Sequence, residues 1–164
     1  MAVDYSRSAI VDIRKYLLSQ ITAANLFTST VSVVPVEQTP ETNDATTGPF
    51  IVYENVPTGT GGGEAYWIMK EEATFYIYSN NYADVLKLQT LLVDVFRRHD
   101  LTARDINTFS NTSPASSPIN FLCCYLNSSD APDGAKSEDG RFVGSVSIDY
   151  DYTRTVGSDG RFAS

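Results

Sequence analysis

One stretch constrains the fold more than any other. From Ala73 to Tyr78 the side chains alternate, with Ala73, Phe75 and Ile77 set against Thr74, Tyr76 and Tyr78. This is the two-residue period of a pleated strand. Within four residues the period changes. From Tyr82 to Arg98, Val85, Leu88, Leu92, Val95 and Phe96 recur on one helical face, while Asp84, Lys87 and Asp94 fall largely elsewhere. Asn80 or Asn81 supplies the cap, and Arg97, Arg98 and His99 suit the negative end of the helix dipole. A strand that turns directly into an amphipathic helix needs a sheet on one side of that helix.

The rest of the chain supplies the sheet. Phe50–Val56 follows Gly48-Pro49 and is expected to stop at Pro57. Ile119–Leu126 is apolar on both faces and reads as a central strand. Phe142–Tyr152 puts Phe142, Val146, Ile148, Tyr150 and Tyr152 on one face, and Ser145, Ser147, Asp149 and Asp151 on a face that meets water or a polar partner. Val31–Val36 is a further short strand. A first helix is expected from about Ser6 to Ile21 on the stripe Ile10, Ile13, Leu17 and Ile21, with Asp4, Ser6 and Ser8 as candidate caps. The order helix, strands, helix, strands predicts an α+β fold: an antiparallel or mixed sheet of about four to five strands, with two helices packed on one face. At 164 residues the chain fits one domain, 1–164, large enough to bury about 68–70% of its unfolded surface. Loops expected to be mobile lie near 37–48, 57–64 and 127–140, followed by an extended C-terminal tail. The string Asp139-Gly140-Arg141-Phe142 recurs as Asp159-Gly160-Arg161-Phe162, too short to define a structural repeat.

Charge and composition narrow the function. Twenty acidic against twelve basic residues give −8 and a pI near 4.5. Such a surface repels phosphates, and the densest basic group is only Arg97-Arg98-His99, so sequence-specific nucleic-acid binding is disfavoured. The first residues lack the apolar stretch of a signal peptide, and no apolar run reaches the ~20 residues of a membrane span. Cys123 and Cys124 are neighbours that a strand would point to opposite faces, which fits a reducing cytosol.

The sequence offers no catalytic, cofactor or metal-binding residues. His99 is the single histidine and is read as a capping or surface residue. One His and two adjacent Cys cannot build a four-ligand zinc site. The acidic stretch Asp130–Gly140 lacks calcium-loop spacing and is broken by Pro132. Thr58–Gly63 lacks the Gly-Lys-Ser/Thr ending of a phosphate cradle. Glu71 and Glu72 diverge on a strand, whereas Asp149 and Asp151 share a face. The expectation is a protein that is not an enzyme and needs no cofactor.

The aromatic residues say more. Ten Tyr, eight Phe and Trp67 are many for a small acidic domain. Phe75, Phe121 and Phe142 are read as core. Trp67, Tyr76, Tyr78, Tyr150 and Tyr152 exceed what one face needs, and Tyr and Trp are enriched at protein interfaces. The candidate interface set is therefore Trp67, Tyr76, Tyr78, Asp149, Tyr150, Asp151, Tyr152, Arg154, Arg161 and Phe162.

Several strings spread over most of the chain resemble the tail terminator (tail completion) proteins of tailed bacteriophages. They are Ser8–Leu18, Gly48-Pro-Phe-Ile-Val-Tyr53, Glu72–Ser79 running into Tyr82–Leu88, and Ser147-Ile-Asp-Tyr-Asp-Tyr-Thr-Arg154. The resemblance implies a virion protein made in the host cytoplasm, forming a ring, typically of six. The ring would cap the head-proximal end of the tail tube, stop its growth and join it to the head connector. Its implied partners are itself, the tube protein, the connector or stopper and, in contractile tails, the sheath. DNA would pass through the ring, and no membrane is involved. A connector or stopper of the phage neck shares fold and composition, and a non-viral protein-binding adaptor is the other alternative.

Overall fold

The computed structural model describes residues 8–39, 48–61, 68–112, 117–132 and 140–154. Its elements are α1 (Ala9–Ala24), β1 (Ser32–Pro35), β2 (Phe50–Thr60), β3 (Met69–Ser79), α2 (Tyr82–Phe96), α3 (Asp100–Thr112), β4 (Ile119–Asp130) and β5 (Phe142–Arg154). The five strands form one sheet in the order β1-β2-β3-β5-β4. Only β1–β2 is parallel, so the sheet is mixed and the fold is α+β.

The helical stripes do what their spacing requires. Ile10, Ile13, Leu17 and Ile21 of α1 join Val85, Leu88, Leu92, Val95 and Phe96 of α2 in one buried cluster with Ala73, Phe75, Ile77, Val146 and Ile148 of the sheet. Asn81 caps α2, its side chain accepting from the Ala83 amide at 3.0 Å. Ser8 stands at the N-cap of α1 without a side-chain bond, and the helix ends three residues beyond Ile21, where Asn25 turns left-handed at φ 48°. Asp4 and Ser6 lie outside the described residues. α2 also comes close to β5: a Cβ on Gly144 would stand 2.9 Å from Val85 Cγ1, so glycine is required by the approach.

Three expectations are corrected. There is a third helix, α3, where two helices were expected. Its buried side chains are Thr102, Ala103, Ile106 and Ser110; two of the four are hydroxylated, so the apolar stripe is thin in the sequence. The Thr102 hydroxyl is satisfied by donating to the Val95 carbonyl at 2.7 Å. The strand β2 passes through Pro57 instead of stopping there. Since β1 covers only Phe50–Tyr53, β2 is an edge strand at Pro57, where a missing N–H costs little, and a bulge follows between Pro57 and Gly59. Finally, β4 is an edge strand, not a central one. It is apolar on one face because that face is buried and α3 packs on it; on the other, Leu122 occupies a bulge and is exposed.

Of the loops expected to be mobile, Gly59–Thr60 and Asn127–Asp130 are strand, and Val36–Gln38 forms a short 3-10 turn. Residues 40–47, 62–67, 133–139 and the tail from 155 lie outside the described residues.

Candidate functional site

The sheet presents one face to the helices and another away from them. On β3, Glu71, Ala73, Phe75 and Ile77 are buried, and the alternate residues Lys70, Glu72, Thr74, Tyr76 and Tyr78 are half-buried on the outer face. Across from these on β5 stand Asp151, Asp149, Ser147, Ser145 and Val143. Four members of the candidate set, Tyr76, Tyr78, Asp149 and Asp151, thus share this face.

Its polar groups form rungs across the strands. Lys70 Nζ donates to Asp151 Oδ2 at 2.7 Å, and this bond and charge raise the Lys70 pKa. The hydroxyls of Thr74 and Ser147 are 3.0 Å apart. Tyr76 donates to Glu54 Oε1 at 2.8 Å, which holds its hydroxyl protonated to higher pH. Tyr78 stacks on Phe50 with ring centroids 5.2 Å apart, and the Arg141 guanidinium lies 4.9 Å from the centroid of the Phe50 ring. In the rung Val56–Glu72–Asp149–Tyr125, two carboxylates are directly opposite each other. Partial burial, then the charge of Asp151, pushes Asp149 above the ordinary carboxylate range. Like charges opposed across a ladder destabilise it. At this end of the face a shallow groove is lined by Thr58, Lys70, Glu72, Tyr125, Asp149 and Asp151.

The remaining candidates divide. Tyr150 and Tyr152, expected among the interface aromatics, are 0% and 3% exposed on the helix-facing side, so their rings fill the core of the subunit. The reason is Glu71, which stands opposite Tyr150 in the β3–β5 register. Tyr150 donates to Glu71 Oε2 at 2.6 Å and Tyr152 to Glu71 Oε1 at 2.8 Å, so one buried carboxylate satisfies two buried hydroxyls. Phe121 lies 6.0 and 6.2 Å from the two tyrosine rings. Arg154 is half-buried at the end of β5, opposite Ile119. Trp67, Arg161 and Phe162 lie outside the described residues. The Glu71 cluster was missed because the sequence marks Glu71 only as diverging from Glu72. The available signal was a carboxylate in phase with Ala73, Phe75 and Ile77.

This cluster carries a pH dependence. Burial, then the charge and hydrogen bond of Glu71, raises the Tyr150 pKa; burial, then the same hydrogen bond and charge, pushes Tyr152 up to about 12. Both groups are neutral when folded and ionise more easily when unfolded, with an ordinary value of 10.0. Their contribution is therefore complete below about pH 10 and is lost as pH rises from there towards 12. A titration followed by tyrosinate absorbance should leave these two hydroxyls un-ionised until the protein unfolds. Reversible ionisation of every tyrosine near pH 10 in the folded protein would contradict the arrangement.

His99 is not in the last turn of α2. It is an exposed left-handed residue (φ 52°) linking α2 to α3, its carbonyl accepting from the Ala103 amide and its ring edge-on to Tyr125 at 5.1 Å. Cys123 stands opposite Asp151 and Cys124 opposite Tyr150, so their side chains leave opposite faces, and both are free thiols. Burial raises both, Cys124 to about 12. Among the described residues no group of three or more His, Cys, Asp or Glu side chains could hold a metal ion, and no helix is long and apolar enough to cross a membrane.

No protein-family model matches the chain, and no curated protein matches it in sequence.

Proposed function

We propose that this chain is a structural subunit that closes a ring, of six copies as the resemblance implies, and thereby ends the growth of a phage tail tube and joins it to the head. The observation that carries this reading is the two-sided sheet. Helices cover one face, and the other offers Tyr76, Tyr78, Glu72, Asp149 and Asp151 together. A terminator must bind the end of a tube with one surface and present an unlike surface beyond it. A head-to-tail contact between unlike surfaces closes into a ring when the rotation completes, and otherwise runs on as a filament. The strings that resemble tail terminators fall on α1, β2, β3, α2 and β5, which build the core of the fold.

The test is removal of the gene from a producing phage, with the tails imaged. Abnormally long tubes, or tails unattached to heads, are expected. Tails of normal length on filled heads would overturn the proposal and favour a protein-binding adaptor.

A further inference from the structure

One stripe of α2 packs on the sheet, and the opposite side of the helix is left outside the core. There Leu86, Lys87, Thr90 and Asp94 are exposed and Leu91 is only partly buried. Together with Ala24 and Leu26, at the end of α1, these residues line a mostly apolar groove. Leu26 is 41% exposed and Leu86 36%, on a side where a solvated helix carries polar residues. Lys87 and Asp94 stand seven residues apart, two turns along the same face.

The charges on this helix are arranged about a centre. Along α2 and its C-cap they run Asp84, Lys87, Asp94, Arg97. Within the helix they pair loosely: Lys87 Nζ lies 3.8 Å from Asp84 Oδ1, and Arg97 Nη2 lies 3.2 Å from Asp94 Oδ1. The Lys87 and Asp94 side chains remain more than half exposed, and surface pairs of this kind hold little free energy, so they can exchange partners. Reversed end for end about the point between Thr90 and Leu91, the pattern sets every charge on one of opposite sign. Asp84 falls on Arg97, and Lys87 falls on Asp94. An antiparallel two-fold contact makes this reversal, because each residue then meets its counterpart reciprocally. A parallel two-fold contact would set Lys87 on Lys87 and Asp94 on Asp94, and like charges repel.

We infer that α2 of a second copy of this chain packs antiparallel into this groove, with Lys87 of each copy meeting Asp94 of the other. Thr90 and Leu91 lie at the centre of the contact, and Leu26 and Leu86 add the apolar area around it. The self-complementary charges are what specify the occupant: they fit this same helix turned about. Such a contact closes at two copies. It is separate from the head-to-tail contact of the ring proposed above and doubles what the chain forms in solution, one subunit becoming two and one ring a pair of rings.

The experiment measures mass by light scattering at low salt, over a dilution series, for the full chain, for Lys87→Glu, for Asp94→Lys and for an equimolar mixture of the two variants. Both positions are exposed, so each variant should fold, and an unchanged circular dichroism spectrum checks this. The wild type should be paired, as two 18.0 kDa subunits or as two rings. Each variant alone opposes like charges twice in every contact. Its dissociation constant should rise about tenfold or more, and its mass should fall to half at concentrations where the wild type is still paired. In the mixture the two reversals face each other, opposite charges meet at both places, and the wild-type mass should return. A wild type that is one subunit at every concentration, variants that keep the wild-type mass, or a mixture that stays at half of it would overturn the contact. A fall from more than two copies directly to one would also overturn it, since these charges would then belong to the head-to-tail contact of the ring.

Discussion

Glu71→Ala should lower the unfolding free energy by about 2–6 kcal/mol, the cost of leaving two buried hydroxyls without this acceptor at about 1–3 kcal/mol each. Tyr150 and Tyr152 point into the core, and both donate to this one carboxylate. Their rings are packed against Phe121 and each other, so neither can swing out to water. Glu71→Gln keeps an acceptor oxygen of the same shape and should lose clearly less. The measurement is a urea midpoint for each variant. Equal midpoints for the Ala and Gln variants would show that the hydroxyls do not depend on the acceptor, and the cluster would then be packing alone.

Leu92→Ala should cost about 2–5 kcal/mol, the range for a fully buried leucine whose cavity does not collapse. Leu92 is 0% exposed in the cluster that joins α2 to the sheet. Leu86, on the same helix but 36% exposed, is the control: its truncation should cost under about 1 kcal/mol. Denaturation midpoints that fell equally for the two would mean that α2 is not held by the face described.

The contrast between these two leucines was legible in the sequence, because α2 pairs a capping Asn81 with a regular apolar stripe and depends on little else. The alternation of β3 and β5 was legible for the same reason: one face is buried and the other half-buried, apart from the buried Ser147. What stayed hidden was set by tertiary partners. Helix α3 buries Thr102 and Ser110, and such hydroxyls look like loop residues until a partner appears, as the Val95 carbonyl does for Thr102. Pro57 reads as a strand breaker until the short reach of β1 leaves that part of β2 on an edge. Ile119–Leu126 reads as central because apolar residues on both faces do not distinguish a second sheet neighbour from a bulge. Glu71 was hidden because its partners are 79 and 81 positions away. The outer-face residues Tyr76, Tyr78, Asp149 and Asp151 were visible from alternation alone, whereas the burial of Tyr150 and Tyr152 needed the register.

The strand order has a consequence for how the molecule assembles itself in time. β5 comes last among the described strands in the chain, yet it lies between β3 and β4 and is the one strand that pairs with β4. Until β5 arrives, β1, β2 and β3 can join, but β4 has no ladder, and α3 lies beneath a strand with nothing to hold it. Closing β3 on β5 brings together residues as distant as Met69 and Tyr152, a contact whose loop entropy must be met before the ladder returns any energy. The sheet is therefore complete only once β5 stands between β3 and β4. A chain interrupted before Phe142 would lose the middle of its sheet, not a margin of it, and should not fold as a smaller version of the same domain.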